Sequence, residues 1–266
     1  MGSTLIAAFI RSGALLPDQI IATNRTYAKV EQIALAHPGL TAVHSNKEVA
    51  AKSELLFLCV KPLEFPRVIS EIASYCREDQ IIVSITSPVM LAQLEARLPG
   101  RIAKVIPSIT NYVLSGAALC IYGERMREQD IAVLENLLGQ ISRPQRVSED
   151  YTRVSSDLSS CGPAFMAFLL GKLVDAAVRE TGIPAEEARR MASEMLLGTG
   201  ILLTAGALSP GQLIERVAVP GGITEEGLNL LECELGDSFT RLIRITHRKY
   251  AEDVEKTEAA FRACSE

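Results

Sequence analysis

The chain has no dense basic cluster to set against its net charge of −5. Broad binding to nucleic acid or to an anionic membrane is therefore not expected. No uninterrupted apolar run reaches the roughly 18 residues of a membrane span. No Cys-x-x-Cys pair occurs among the six cysteines, and His37, His44 and His247 are far apart, so no motif suggests a metal site or a disulfide framework. The first residues lack a basic n-region and a proper apolar core, so no signal peptide is expected, and a cytoplasmic protein with reduced thiols is the default. Hydrophobic residues make up 48% and charged residues 22%, which describes a folded globular protein rather than a disordered one. A chain of 266 residues suffices for one large or two ordinary domains.

Another absence lies at the start. Met1 to Ile10 reads as a helix, with Gly13 as its stop. Apolar strands follow around Ile20–Thr23, Val43, Leu55–Val60, Ile81–Ile85, Ile102–Ile106 and Ala117–Tyr122. Helices are expected at Tyr27–Ala36, Pro62–Tyr75, Leu91–Leu98 and Arg127–Leu138. This alternation implies an α/β domain built on a Rossmann-like parallel sheet. Such a fold opens with a strand and a Gly-x-Gly-x-x-Gly turn. Here Gly2 stands where the last glycine would be, and the strand and the first two glycines are missing. Met1 is accordingly expected to be an internal methionine, with the natural start roughly ten residues earlier. Without that strand, poor folding and weak cofactor binding are expected.

The strand ending at Thr23 is followed by Asn24-Arg25-Thr26, where a dinucleotide fold contacts the adenosine ribose. An acidic residue there would accept from a free 2′-hydroxyl. Arg25, with Lys29 one turn on, suits a 2′-phosphate instead, which favours NADPH over NADH. The other reading is a solvated arginine at an exposed helix start. Val60-Lys61-Pro62 ends a buried strand. Lys61 there either faces the cofactor or caps the strand end. Thr86, in Ser84–Pro88, and the stretch Ile106–Thr110 hold equivalent places and put hydroxyls near a nicotinamide.

After about Glu149 the pattern becomes all helical, dividing the chain into 1–149, a Rossmann-like NADP-binding domain, and 150–266, a helical domain. Gly162-Pro163 is expected to start a nearly all-apolar helix, Ala164–Val178. The helical domain is too small to cover that helix, which suggests a second copy. Helices from Pro184 and from Ser209-Pro210 follow. A long terminal helix is then expected from Thr224 through Leu228, Leu231, Leu235, Phe239 and Leu242. Before it stands Val219-Pro220-Gly221-Gly222-Ile223-Thr224. Glycines opening a helix leave N–H groups at its positive end, a seat for a small carboxylate. The alternative is a plain junction with Thr224 as N-cap.

Over essentially its whole length the chain resembles the pyrroline-5-carboxylate reductases, most of all their competence-associated, ComER-like branch. The resemblance rests on Met1-Gly2, Asn24-Arg25-Thr26, Val60-Lys61-Pro62, Val105-Ile106-Pro107, Ser159-Ser160-Cys161-Gly162-Pro163-Ala164-Phe165 and Pro220-Gly221-Gly222-Ile223-Thr224. It implies an NADPH-binding Rossmann domain, a helical dimerisation domain, a homodimer or ring of dimers, and reduction of 1-pyrroline-5-carboxylate to L-proline. It also implies a site between the domains, completed across the dimer. Gly2, Asn24, Arg25, Thr26, Val60, Lys61, Pro62, Thr86 and Gly162 would hold the cofactor. Gly221 and Gly222 would give N–H donors to the substrate carboxylate, Thr224 its hydroxyl to the carboxylate or imine nitrogen, and Cys161 would lie beside the nicotinamide.

The departures are Val219 where the family has serine, Ser159-Ser160-Cys161 where it has Ser-Gly-Ser, Ser108-Ile109-Thr110 in a Pro-Asn-Thr-Pro pattern, and Glu225-Glu226 after Thr224. A non-catalytic or regulatory relative, or a reductase of a related imine, stands as the alternative. A hydroxyacid dehydrogenase would need a lysine early in the apolar helix. Pro163–Leu170 has no basic residue, and Lys172 is too far along.

Overall fold

A computed structural model describes residues 1–264. The chain divides into two compact units: Met1–Gly162 together with the chain from Ile245, and Pro163–Arg244.

The first unit begins with helix α1, Gly2–Arg11, which buries Leu5, Ala8 and Phe9. Strand β1, Ile21–Thr23, helix α2, Tyr27–Ala36, and strand β2, Thr41–Val43, follow. Helix α3, Asn46–Lys52, was not expected: its seven residues bury only Val49 and Ala50, too few to declare a period. Strand β3 is Leu55–Leu58 and helix α4 is Phe65–Ile72, entered through a 3₁₀ turn at Pro62–Glu64. Then come β4, Ile81–Ser84, α5, Leu91–Glu95, β5, Arg101–Ile106, β6, Ala117–Tyr122, α6, Glu128–Gly139, and β7, Arg143–Arg146.

The strands form two sheets, β1-β2 and β3-β4-β5-β6-β7. β1 and β3 are each paired on one side only and not with each other. All pairs are parallel except β5–β6. Only a 3₁₀ turn, Ile109–Val113, lies between those two strands, and a parallel return needs a crossover helix. Side chains alternate across the sheet. Ile81, Val83, Ala103 and Val105 pack with α1 and α6, while Ile82, Ile102 and Ile106 pack with α4, α5 and Phe261.

Beyond β7 the chain is helical without interruption from Glu149 to Thr181. It comprises α7, Thr152–Ser156, a π turn, Asp157–Cys161, and α8, Gly162–Thr181. The expected helix start at Gly162-Pro163 is thus corrected to a point inside a running helix. Pro163 has no N–H for the Ser159 carbonyl. Backbone bonding shifts to the π register there, and the Ser108 hydroxyl donates to that carbonyl instead, at 2.9 Å. By length and composition this helix is apolar enough to cross a membrane, which the search for an uninterrupted run did not show.

The second unit holds most of α8, then α9, Ala185–Thr204, α10, Pro210–Val217, and α11, Ile223–Leu235. The expected long terminal helix is two helices, because Gly236 turns to φ +44° and ends α11 before α12, Ser238–Ala263, begins. Within the single chain α8 is largely exposed, with Phe168 at 63% and Leu173 at 58%, and only Val174 is buried. An apolar groove of about 280 Å³ runs between α8 and α9, lined by Leu173, Val174, Ala177, Met191 and Met195.

Candidate active site

In the first unit Asn24–Thr26, Val60–Pro62 and Thr86 follow the carboxyl ends of β1, β3 and β4, where parallel sheets present ligands; Gly2 opens α1 and Gly162 opens α8 instead. Asn24 accepts from the Thr26 amide at 2.9 Å, an Asx turn that sets the backbone before α2. Arg25 between them is exposed and reaches Glu64 at 3.3 Å. Glu64 is also held by Arg67 at 3.0 Å. The Arg67 hydrogen bond holds the Glu64 carboxyl below its ordinary range; burial works against it, and the charges of Arg25, Arg67 and Lys61 add to the lowering. Lys61 is exposed and precedes the Pro62–Glu64 turn as its N-cap residue.

Thr86 is nearly buried, and its hydroxyl donates to the Val60 carbonyl at 3.1 Å. It ties the ends of β3 and β4 together. Ser108 is likewise fully buried and engaged with Ser159, so its hydroxyl is structural rather than the nicotinamide-facing group expected. Gly2 is the first residue of α1, and a Cβ there would stand 3.2 Å from Cys59 Cβ. The glycine therefore permits a close approach of helix and strand, and the first-turn amides of α1 have no carbonyl within the helix. An exposed guanidinium beside an Asx turn and a closely packed helix N-terminus are the kinds of group that accept a 2′-phosphate and a pyrophosphate.

Cys161 closes the π turn. The sequence reading missed what holds it: Arg153, Asp157 and Cys161 follow one another at four-residue spacing, the only signal of it. Arg153 Nη2 lies 2.9 Å from Asp157 Oδ1 and 3.2 Å from Cys161 Sγ. Asp157, 1% exposed, also accepts from Thr246 Oγ1 at 2.7 Å. Also missed was Lys104, wholly buried on β5, whose Nζ lies 2.5 Å from Glu149 and 3.3 Å from the Ser87 carbonyl. Burial pushes the Lys104 ammonium below the ordinary lysine range, and Glu149 partly offsets this. Tyr250, from α12, donates to the same Ser87 carbonyl at 3.3 Å. Among the described residues no group of three or more His, Cys, Asp or Glu side chains is gathered to hold a metal.

In the second unit, Gly221 adopts φ +72°, a conformation that glycine alone takes freely. A Cβ on Gly222 would stand 2.8 Å from the Val219 carbonyl oxygen. Gly222, not Thr224, is the N-cap of α11, and no side chain caps it. Thr224 is exposed on the first turn, and its hydroxyl makes no hydrogen bond among the described residues. The two glycine amides are engaged: Gly222 N–H donates to the Val219 carbonyl at 2.9 Å, and Gly221 N–H donates to Glu225 Oε2 at 2.6 Å. Cys161 and Gly162 belong to the first unit and Gly221–Thr224 to the second.

Comparison with known proteins adds five findings. The sequence model of the NADP oxidoreductase, coenzyme F420-dependent family matches residues 1–88, and that of pyrroline-5-carboxylate reductase dimerisation matches residues 149–253. ComE operon protein 4 of Bacillus subtilis is 40% identical, over 98% of this chain and 96% of its own length. Pyrroline-5-carboxylate reductase 3 of Danio rerio is 33% identical, over 84% of this chain and 77% of its own length. In fold, the chain is similar to the Plasmodium falciparum pyrroline carboxylate reductase with NADP bound, with a TM-score of 0.81, 20% identity, and 98% and 94% of the two chains covered.

Proposed function

The chain belongs to the pyrroline-5-carboxylate reductase family, and on that premise we propose that it reduces the cyclic imine 1-pyrroline-5-carboxylate to L-proline with NADPH. The observation that carries this reading is the Thr224 hydroxyl. It stands exposed on the first turn of α11, relieved of capping by Gly222 and without a hydrogen-bond partner among the described residues. A hydroxyl left unengaged beside a glycine turn is available to a substrate.

NADPH, when bound, supplies the hydride. Arg25, with Asn24 and Thr26 setting its backbone, would hold the 2′-phosphate, and Gly2 at the start of α1 the pyrophosphate. Thr224 would donate to the imine nitrogen or to the carboxylate and so orient the C=N bond. A donor fixed beforehand lowers the barrier as charge shifts on that nitrogen. The dimerisation match and the exposed apolar α8 support a homodimer through that helix. A second reading is a regulatory relative without catalysis. It is favoured by the two engaged glycine amides and by the likeness to ComE operon protein 4.

Thr224→Val keeps the shape and removes the hydroxyl. We expect NADPH oxidation with the cyclic imine to slow by roughly 10- to 1000-fold, with NADPH affinity and fold intact. An unchanged rate would reduce Thr224 to a residue of the helix surface. No NADPH oxidation by the unaltered chain would favour the regulatory reading.

A further inference from the structure

Tyr250 stands on α12, in the part of that helix that belongs to the first unit. Its hydroxyl donates to the Ser87 carbonyl at 3.3 Å. Its ring faces the Arg153 guanidinium, whose carbon lies 5.9 Å from the ring centre, within the range of a cation–π contact. Arg153 in turn reaches Cys161 Sγ at 3.2 Å. One side chain therefore touches both the loop after β4, which carries Thr86, and the arginine that grips the π turn, which carries Cys161. Those are the two segments expected at the nicotinamide, and all of these residues lie in one compact unit.

The near end of that loop is tied to β3 by the Thr86 hydroxyl on the Val60 carbonyl. Its far end depends on the Ser87 carbonyl. Ser87 Oγ is shut off from solvent and has no hydrogen-bond partner among the described residues, and Pro88 has no N–H to give. The Ser87 carbonyl accepts from Tyr250 and from Lys104 Nζ, each at 3.3 Å. The two donors differ in kind. Lys104 is wholly buried and is bonded to Glu149 as well, so it belongs to the core of the sheet. Tyr250 is half-buried and arrives from the last helix of the chain. Burial pushes its hydroxyl above the ordinary tyrosine range, so at neutral pH it keeps the proton it donates.

We propose that Tyr250 is a positioning residue for the nicotinamide end of the cofactor: without touching the cofactor, it fixes the loop after β4 relative to the π turn that bears Cys161. This rests on the reading of that loop as part of an NADPH site. Groups that face a ligand keep their geometry only as well as the residues behind them are held. Here the residue behind them comes from α12, which no sequence motif of the cofactor site includes. A tyrosine that merely stabilised the fold would change the affinity of every ligand alike. A positioning tyrosine changes only the part of the affinity that the nicotinamide ring supplies.

The test measures binding, so that it does not depend on turnover. The probes are NADPH and 2′-phospho-ADP-ribose, which keeps the phosphates and both riboses and lacks only the nicotinamide ring. Each is titrated calorimetrically into the full chain, unaltered and in two variants. Tyr250→Phe keeps the ring and removes the hydroxyl. Thr257→Val is the control: Thr257 is fully buried and donates to the Asp253 carbonyl at 2.7 Å, about two turns further along α12. Tyr250→Phe is expected to weaken NADPH binding by about 3- to 10-fold, the scale of one lost hydrogen bond, and 2′-phospho-ADP-ribose binding by less than about 1.5-fold. Thr257→Val should lower the thermal midpoint and leave the ratio of the two affinities where it was. Equal losses for both probes in Tyr250→Phe, no loss, the same change of ratio in Thr257→Val, or no NADPH binding by the unaltered chain would overturn the proposal. Selective loss of NADPH affinity in a chain that never oxidises NADPH with the cyclic imine would end the reductase reading and leave this one standing. Imine-dependent NADPH oxidation with an unmoved affinity ratio would do the reverse.

Discussion

Ser108 donates its hydroxyl proton to the carbonyl of Ser159, 51 residues away in sequence, at 2.9 Å. That carbonyl is the one Pro163 would have served had it carried an N–H. Close by, the Ser160 hydroxyl donates to the Pro107 carbonyl at 3.1 Å, so two bonds fasten the π turn to the end of β5. Because Cys161 and Gly162 follow directly, the bonds fix the backbone that presents them.

Removing the Ser108 hydroxyl should leave the partly buried Ser159 carbonyl without this partner. Ser108→Ala is expected to lower unfolding stability by about 1–3 kcal/mol. Pro163→Ala restores an N–H aimed at the same carbonyl, so it should recover part of the loss in the double variant. A double-mutant cycle in urea measures the coupling. Strictly additive effects would mean that the serine and the proline are unrelated.

The Lys104–Glu149 pair makes a pH prediction. Burial holds the folded-state value of Lys104 below that of the unfolded chain, which is about 10.4. Between the two values the unfolded chain binds more protons, so this group's contribution to stability rises with pH there, having been unfavourable at lower pH. Urea midpoints taken from pH 7.5 to about 10 should therefore rise in the unaltered chain relative to Lys104→Met/Glu149→Gln. A flat difference across that range would remove the ammonium from the account. Glu149→Ala alone strands a buried cation and takes an acceptor from the Leu91 amide. A cost of about 2–3 kcal/mol is expected, toward the low end for a buried pair because a quarter of the Glu149 side chain remains solvated.

Much of the architecture was legible in the sequence. Apolar runs gave β3, β4 and β5, because a strand covered on both faces is apolar throughout. Pro184 and Ser209-Pro210 marked the starts of α9 and α10 by local chemistry alone. Failures came where distant residues decide. Gly162-Pro163 looks like a helix start until Ser108 is seen supplying the missing donor. Leu228 to Leu242 keeps a helical period straight across Gly236, whose positive φ no periodicity reports. At the candidate site, type and position single out Arg25 and Thr224 as candidates, whereas the Glu225–Gly221 bond and the Arg153–Asp157–Cys161 chain depend on side-chain directions.

Assembly follows from α8. Phe168, Leu173, Met191 and Met195 are all exposed in the single chain, and water contact of that much apolar surface is costly. A homodimer is expected at micromolar concentration by light scattering. Phe168→Glu would bury a charge in such an interface and should shift the mass toward the monomer. A monomeric unaltered chain would leave the apolar face of α8 without the cover proposed for it.

The cofactor prediction turns on Arg25. Its guanidinium rests 3.3 Å from Glu64, which Arg67 also holds. The Arg25 side chain is 77% exposed. An ion pair that open to water is weak and yields readily to a stronger anion. A 2′-phosphate carries more charge than one carboxylate and accepts two guanidinium N–H groups at once. Arg25 should therefore exchange Glu64 for the phosphate, while Arg67 retains Glu64. Arg25→Ala is expected to weaken NADPH binding by about 10- to 100-fold, the scale of a hydrogen bond to a charged group, and NADH binding by less than about threefold. Arg25→Lys should fall between, since an ammonium keeps the charge and loses the fork. Glu64→Gln, which removes the competing charge, should strengthen NADPH binding slightly and leave NADH unchanged. Fluorescence titration of each variant with both nucleotides, at two salt concentrations, separates these effects, because the NADPH-specific part must shrink as ionic strength rises. Equal losses for NADPH and NADH in Arg25→Ala would return Arg25 to the status of a solvated residue at the start of α2.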